Sequence, residues 1–193
     1  VQSIKKAADE SGVLVITGDT KVVERGKGDK IFINTTGFGA MHPKANISIH
    51  NINEGDKILI HGFIAQHGMA IMSEREGLQF ESTIVSDSTN LNFLVEDLLD
   101  QFGEKIKLFR DPTRGGLGTV LHEIANDISK GVFLKEEFIP FEKQVAAACE
   151  MLGLDPMYVA NEGVFLVVVD PSVENEVLAL MRNHSKGKNA ALI

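Results

Sequence analysis

The chain has 193 residues, of which 44% are hydrophobic and 24% charged, and a formal net charge of −8. Those values fit one large or two small globular domains with a real core. The acidic balance, without a basic footprint, argues against a nucleic-acid partner. The longest purely apolar run, Val164 to Val169, is too short for a membrane-spanning helix. The single cysteine, Cys149, excludes an internal disulfide and favours a reducing, cytoplasmic compartment. No Cys or His cluster has zinc spacing.

In chain order, residues 1–11 carry apolar side chains at helical period and stop at Gly12. Residues 13–16 predict a buried strand that runs into the polar turn Thr17-Gly18-Asp19-Thr20-Lys21. That turn, with an acid and a lysine after a strand end, reads either as a ligand-facing loop or as a solvated hairpin turn. Residues 31–33 predict another strand, ending in Gly37-Phe38-Gly39. Residues 41–54, rich in Asn, His and Ile, form the best domain boundary. Beyond it the spacing predicts a strand over 57–61, a turn over 62–68 and a helix over 69–76. A clear amphipathic helix follows over 90–102, with Ser88 as its N-cap. Next come a strand over 106–109, a helix over 117–128, a strand over 131–134 and a helix over 141–152. His122 and Glu123 fall on the outer face of the 117–128 helix, and Cys149 on the inner face of the 141–152 helix. A strand over 164–169, a helix over 171–182 and the start of a strand at 190–193 complete the pattern. The mixture predicts an α/β or α+β layered fold, with one complete domain over about 50–193. Both ends look cut, so the sequence is expected to be a piece of something longer.

Three polar stretches stand out. Asp111-Pro112-Thr113-Arg114-Gly115-Gly116-Leu117 opens a helix. It reads either as a phosphate-handling turn or as a helix capped by Asp111 or Thr113. In the first reading, two glycines allow close backbone approach, Asp111 holds a cation, and Arg114 is a forked donor. Asn161-Glu162-Gly163 precedes the most apolar strand. Glu162 there is either solvated at the strand start or desolvated, which would suit a base. The Asp19–Lys21 turn is the third.

Taken together, Thr17 to Val23, Asp111 to Leu117 and Asn161 to Gly163 resemble the HypE family of hydrogenase maturation proteins, in the aminoimidazole ribonucleotide synthetase-like superfamily. Phe32-Ile33-Asn34-Thr35, Gly153-Leu154-Asp155 and Gly187 to Ile193 fit as well, so the resemblance covers essentially the whole chain. It implies that residues 1–45 end an N-terminal ATP-binding and dimerisation domain and that 46–193 form a C-terminal α/β domain. It implies ATP-dependent dehydration of a C-terminal cysteine thiocarboxamide to a thiocyanate, which supplies cyanide for nickel-iron hydrogenase. ATP and Mg²⁺ are the implied cofactors. The implied partners are a second copy of the chain, the carbamoyltransferase HypF and the HypC–HypD iron scaffold. By the same resemblance, Lys21 and Glu162 are catalytic. Asp19, Asp111, Thr113, Arg114, Gly115 and Gly116 bind nucleotide, and Asp111 also holds the metal. Cys149 does not match the family's acceptor cysteine, which lies in a C-terminal tail. Ala65-Gln66 stands where family members often have Gly-Asp, which leaves the role of the His67 loop open.

Two other readings remain: a different ATP-using enzyme of the same superfamily, such as a selenophosphate synthetase, or a non-catalytic dimerisation and docking piece. The isolated chain is expected not to turn over.

Overall fold

The structure, a computed structural model, describes residues 1–28, 30–77 and 83–193. The chain divides into two compact units, Val1–Pro43 and Lys44–Ile193.

In the first unit, helix α1 spans Gln2–Ser11 and closes on Gly12, whose N–H bonds the Ala8 and Asp9 carbonyls. An exposed Lys5–Asp9 pair at 2.6 Å lies along it. The strands predicted over 13–16 and 31–33 do not form: no described residue of this unit is in a strand. Val13, Leu14, Val15 and Ile16 are exposed instead, as are Ile31, Phe32 and Ile33. A strand is stable only through a ladder of hydrogen bonds to a neighbour, and these segments find none among the described residues.

The second unit is built on a four-stranded sheet. Its strands are β1 (Lys57–Ile60), β2 (Ile106–Arg110), β3 (Leu166–Val169) and β4 (Ala191–Leu192), in the order β2-β3-β1-β4. Every pairing is antiparallel. β3 is central and wholly buried, which is why it reads as an unbroken apolar run instead of an alternating one. Its residues face both ways: Leu166 and Val168 enter one core, Val167 and Val169 the other. Helices α2 (Gln66–Glu76), α4 (Gly116–Ile128) and α5 (Lys143–Leu152) cover the first face through Met69, Leu117, Val120, Leu121, Val145 and Cys149. Helices α3 (Asn92–Phe102) and α6 (Glu174–Asn183) cover the second through Leu94, Leu98, Val177 and Met181. A register shift in β2 between Ile106 and Leu108 makes Lys107 an extra residue. Without it Ile106 and Leu108 would share a face; with it they enter opposite cores. This is the expected layered α/β class.

Some local expectations fail. Residues 131–134 form no strand, and Phe133 is exposed. Ser88 does not cap α3; Leu91 takes that place without a side-chain bond, and the Ser88 N–H bonds the Ser86 hydroxyl. The outer face of α4 is not simply solvated: Glu123 pairs with Arg110 at 2.9 Å and His122 meets Asn126 at 3.0 Å. Both groups of that ion pair are about half exposed, so it contributes little stability. Cys149 is fully buried as expected, and burial pushes its thiol pKa up, leaving an unreactive packed side chain. No helix among the described residues is long and apolar enough to cross a membrane.

Candidate functional site

The sheet register decides what meets at its end. Arg110 of β2 and Ile60 of β1 both lie opposite Leu166, the first residue of β3. The chain leaving β2 (Asp111 onward), the chain leaving β1 (His61 onward) and the chain entering β3 (Asn161 to Phe165) therefore share one edge of the unit.

Asn161 ties these three segments together. It is fully buried. Its Oδ1 accepts the Ala65 N–H at 2.7 Å, and its Nδ2 donates to the Pro112 carbonyl at 2.8 Å and the Val159 carbonyl at 3.1 Å. The partners fix the amide orientation, because one side faces a donor and the other two acceptors. The Ala65 backbone is left-handed, at φ 71°, just before α2. A glycine would sit there without strain, so the Asn161 bond helps hold an alanine in a costly conformation.

The Asp111 stretch turns differently from either sequence reading of its cap. Neither Asp111 nor Thr113 caps α4. Gly115 does, with φ 77°, and Gly116 follows at φ 66°. Two successive left-handed residues reverse the chain between β2 and α4. A Cβ on Gly116 would stand 2.5 Å from the Met157 carbonyl oxygen and 2.8 Å from that of Val159. Gly116 is thus required by packing and Gly115 is favoured by its left-handed φ, whatever else they do. The Gly116 N–H donates to the Thr113 carbonyl at 3.1 Å, so it is already engaged. Asp111, Arg114 and Glu162 are exposed, and among the described residues no hydrogen bond or ion pair engages their side chains. Glu162 is therefore at a solvated turn, not in a desolvated pocket. Thr113 is half-buried. Asp19 and Lys21 belong to the first unit, where both are exposed and Asp19 Oδ1 accepts the Thr20 N–H at 2.8 Å.

Two groups here carry no sequence signal. Asp87 Oδ1 accepts the N–H groups of Glu162 (2.9 Å) and Gly163 (2.8 Å), and its Oδ2 accepts the His67 N–H at 3.3 Å. Beside it, the Ser86 hydroxyl meets His67 Nδ1 at 2.9 Å. The other group is His61, 3% exposed, with its ring stacked on Phe165 at 4.7 Å. Its Nδ1 accepts the Phe165 N–H at 3.2 Å. Burial lowers its pKa from 6.5 to about 4, against the pull of nearby Asp87 and with help from His184.

That shift has a definite sign. As pH falls below 6.5 the unfolded chain takes up a proton that the folded ring refuses until about pH 4. Stability is therefore lost across that window, by at most about 3 kcal/mol. Urea unfolding at pH 7 and pH 4.5 should show a smaller fall in a His61→Gln variant than in the parent chain; an equal fall in both would contradict the assignment.

Among the described residues no group of three or more His, Cys, Asp or Glu could hold a metal ion unaided. A cavity of about 690 Å³ lies elsewhere, lined by Ile58, Ile124, Val132, Phe138 and Ile193 among others.

The family model "AIR synthase related protein, C-terminal domain" matches residues 53–193. A carbamoyl dehydratase HypE from Bradyrhizobium diazoefficiens is 50% identical over 190 residues, which is 98% of this chain and 55% of that protein. A crystal structure of a HypE–HypF complex superposes with a TM-score of 0.96 at 47% identity, covering 100% of this chain and 63% of that one. A structure of HypE in complex with ATP gives a TM-score of 0.94 at 44% identity, covering 99% and 57%. The chain spans about half the length of the curated relatives it matches. It belongs to the AIR synthase-related family, with the HypE hydrogenase maturation proteins as its relatives.

Proposed function

We propose that this chain is part of an ATP-dependent carbamoyl dehydratase that serves nickel-iron hydrogenase maturation in the cytoplasm. Residues 1–45 would end the ATP-binding and dimerisation domain, and 46–193 would form the C-terminal domain. The observation that carries this reading is the Asn161 link between the Asp111 turn and the Glu162 turn, in a chain half identical to a HypE carbamoyl dehydratase. A HypE structure with ATP and a HypE–HypF complex support ATP as the phosphoryl donor and HypF as the source of the carbamoyl group. A second copy of the chain and a HypC–HypD iron scaffold complete the proposed partners.

The substrate would be a cysteine thiocarboxamide on the protein's own tail. Its carboxamide oxygen attacks the γ-phosphorus of ATP and ADP departs. The amide nitrogen then gives up two protons as phosphate leaves with the oxygen, and a thiocyanate remains. Glu162, exposed and with no side-chain partner among the described residues, is free to take one of those protons, and the other leaves on the departing phosphate. Lys21 would balance the charge that develops on the carboxamide. Asp19 would support the phosphates. Arg114, Thr113 and the N–H of Gly115 would contact the nucleotide at the start of α4, where backbone dipoles favour anions. Mg²⁺ usually keeps several waters and the nucleotide's own oxygens, so one free carboxylate suits it better than a closed cage would. Asp111 supplies that carboxylate. Once bound, the ion would neutralise charge on the transferring phosphoryl group.

The test uses the full-length protein. Glu162→Gln should bind ATP within about two-fold of the parent but form thiocyanate about 100-fold more slowly. The tail-cysteine adduct is followed by mass spectrometry. Thiocyanate formation at the normal rate would remove Glu162 from the mechanism.

A further inference from the structure

We propose that Asp87 is a positioning residue for this reaction: it sets the backbone of the Glu162 turn and fastens it to the start of α2. The inference rests on the reading of Glu162 as the base. Among the described residues nothing holds the Glu162 side chain, so its direction depends on its own backbone. That backbone is held from a point 75 residues away, where Asp87 Oδ1 accepts the N–H groups of Glu162 and Gly163 together. Two successive N–H groups directed at one anionic oxygen make a small anion nest, and charge-assisted bonds of this kind are stronger than neutral ones. The other carboxylate oxygen takes the His67 N–H, while Ser86 holds the His67 ring. One residue thus sets the spacing between the α2 start and the Glu162 turn.

The fit is close on the backbone side too. Gly163 lies directly against the Asp87 carbonyl, with no room for a Cβ between them. The far end of the same segment is anchored independently, where Lys186 Nζ donates to the Thr89 hydroxyl at 2.5 Å. The strap that presents Asp87 is therefore tied at both residue 87 and residue 89. The carboxylate cannot be replaced by its amide without loss. An asparagine could still receive the Glu162 and Gly163 N–H groups on Oδ1, but its NH₂ would then face the His67 N–H, donor against donor. Alanine keeps neither half.

The experiment measures hydrogen exchange in the full-length protein, on peptides spanning 159–165 and 166–170. Asp87→Ala should speed exchange at Glu162 and Gly163 by about ten-fold or more, and Asp87→Asn by less, with the β3 peptide unchanged in both. In Asp87→Asn, thiocyanate formation at saturating ATP should fall about ten-fold with ATP affinity unaltered, because a displaced base loses rate and not nucleotide binding. Unchanged exchange at 162 and 163 in Asp87→Asn, or an equal rise in β3, would overturn the latch. Faster exchange with an unaltered dehydration rate would overturn its positioning role. If Asp87→Ala does not fold, Asp87→Asn alone decides. Normal dehydration by Glu162→Gln would instead sink the reading of Glu162 and leave the exchange result standing, so the two failures are separable.

Discussion

Asn161→Ala should destabilise the folded chain by about 4 kcal/mol, more than its small volume suggests. The side chain is fully buried and serves three backbone groups that no other described residue satisfies: the Ala65 N–H and the Pro112 and Val159 carbonyls. Each buried group left unsatisfied costs about 1–3 kcal/mol, partly relieved if water enters the space. The loss of the Ala65 bond adds to this, because it restrains a left-handed alanine at φ 71°. In urea the midpoint should fall by about 2 M for a domain of this size. Asn161→Asp should do no better at neutral pH. It keeps the bond to Ala65 but sets an anionic oxygen against two carbonyls, at the 2.8 and 3.1 Å positions where donors now stand. A midpoint shift under about 0.5 M for the alanine variant would mean that Asn161 is not the tie between these segments. In the full-length protein the same change should weaken ATP binding and dehydration together, unlike Glu162→Gln, because it releases both turns at once.

The parts of this fold that were legible in the sequence are those whose cause is local. α3, α4 and α6 show their apolar stripes because each covers one face of the sheet. β3 shows as an unbroken run because it is covered on both. What was not legible depends on partners distant in the chain. Residues 13–16 and 31–33 have the composition of strands, but a strand needs a neighbour that composition cannot supply. The same holds for 131–134. The Asp111 turn reads either as a phosphate-handling turn or as a helix start capped by Asp111 or Thr113, yet its cap is Gly115. The turn's shape is imposed by the Met157–Val159 backbone packed against Gly116. Asp87 is the clearest case. In the sequence it is an acid between two serines; its role exists only because the β2-β3-β1 register brings the Glu162 turn and the α2 start within its reach. His61 likewise reads as the polar end of a strand, and only the fold buries it against Phe165. The resemblance to HypE located the motifs, and the geometry then showed what joins two of them.

Gly163→Ala should be at least as damaging as the loss of Asn161, at about 4–5 kcal/mol. The added methyl would overlap the Asp87 carbonyl oxygen and stand 2.7 Å from its carbon and 2.8 Å from the Thr89 nitrogen. All three obstacles are backbone, so no rotamer change relieves them, and the 87–89 strap must move. Moving it also breaks the two charge-assisted bonds from Glu162 and Gly163 to Asp87, each worth about 1.5–3 kcal/mol. Two control glycines separate this close approach from ordinary glycine effects. Gly62 has open space and no positive φ, so Gly62→Ala should change stability by less than about 0.5 kcal/mol. Gly153 also has open space but sits at φ +66°, so Gly153→Ala should cost only the backbone strain of about 1–2 kcal/mol. Unfolding curves of the three variants should therefore rank Gly62, Gly153 and Gly163 in rising order of damage. A Gly163→Ala variant as stable as Gly153→Ala would show that the strap can yield. Asp87 could then no longer be a rigid support for Glu162.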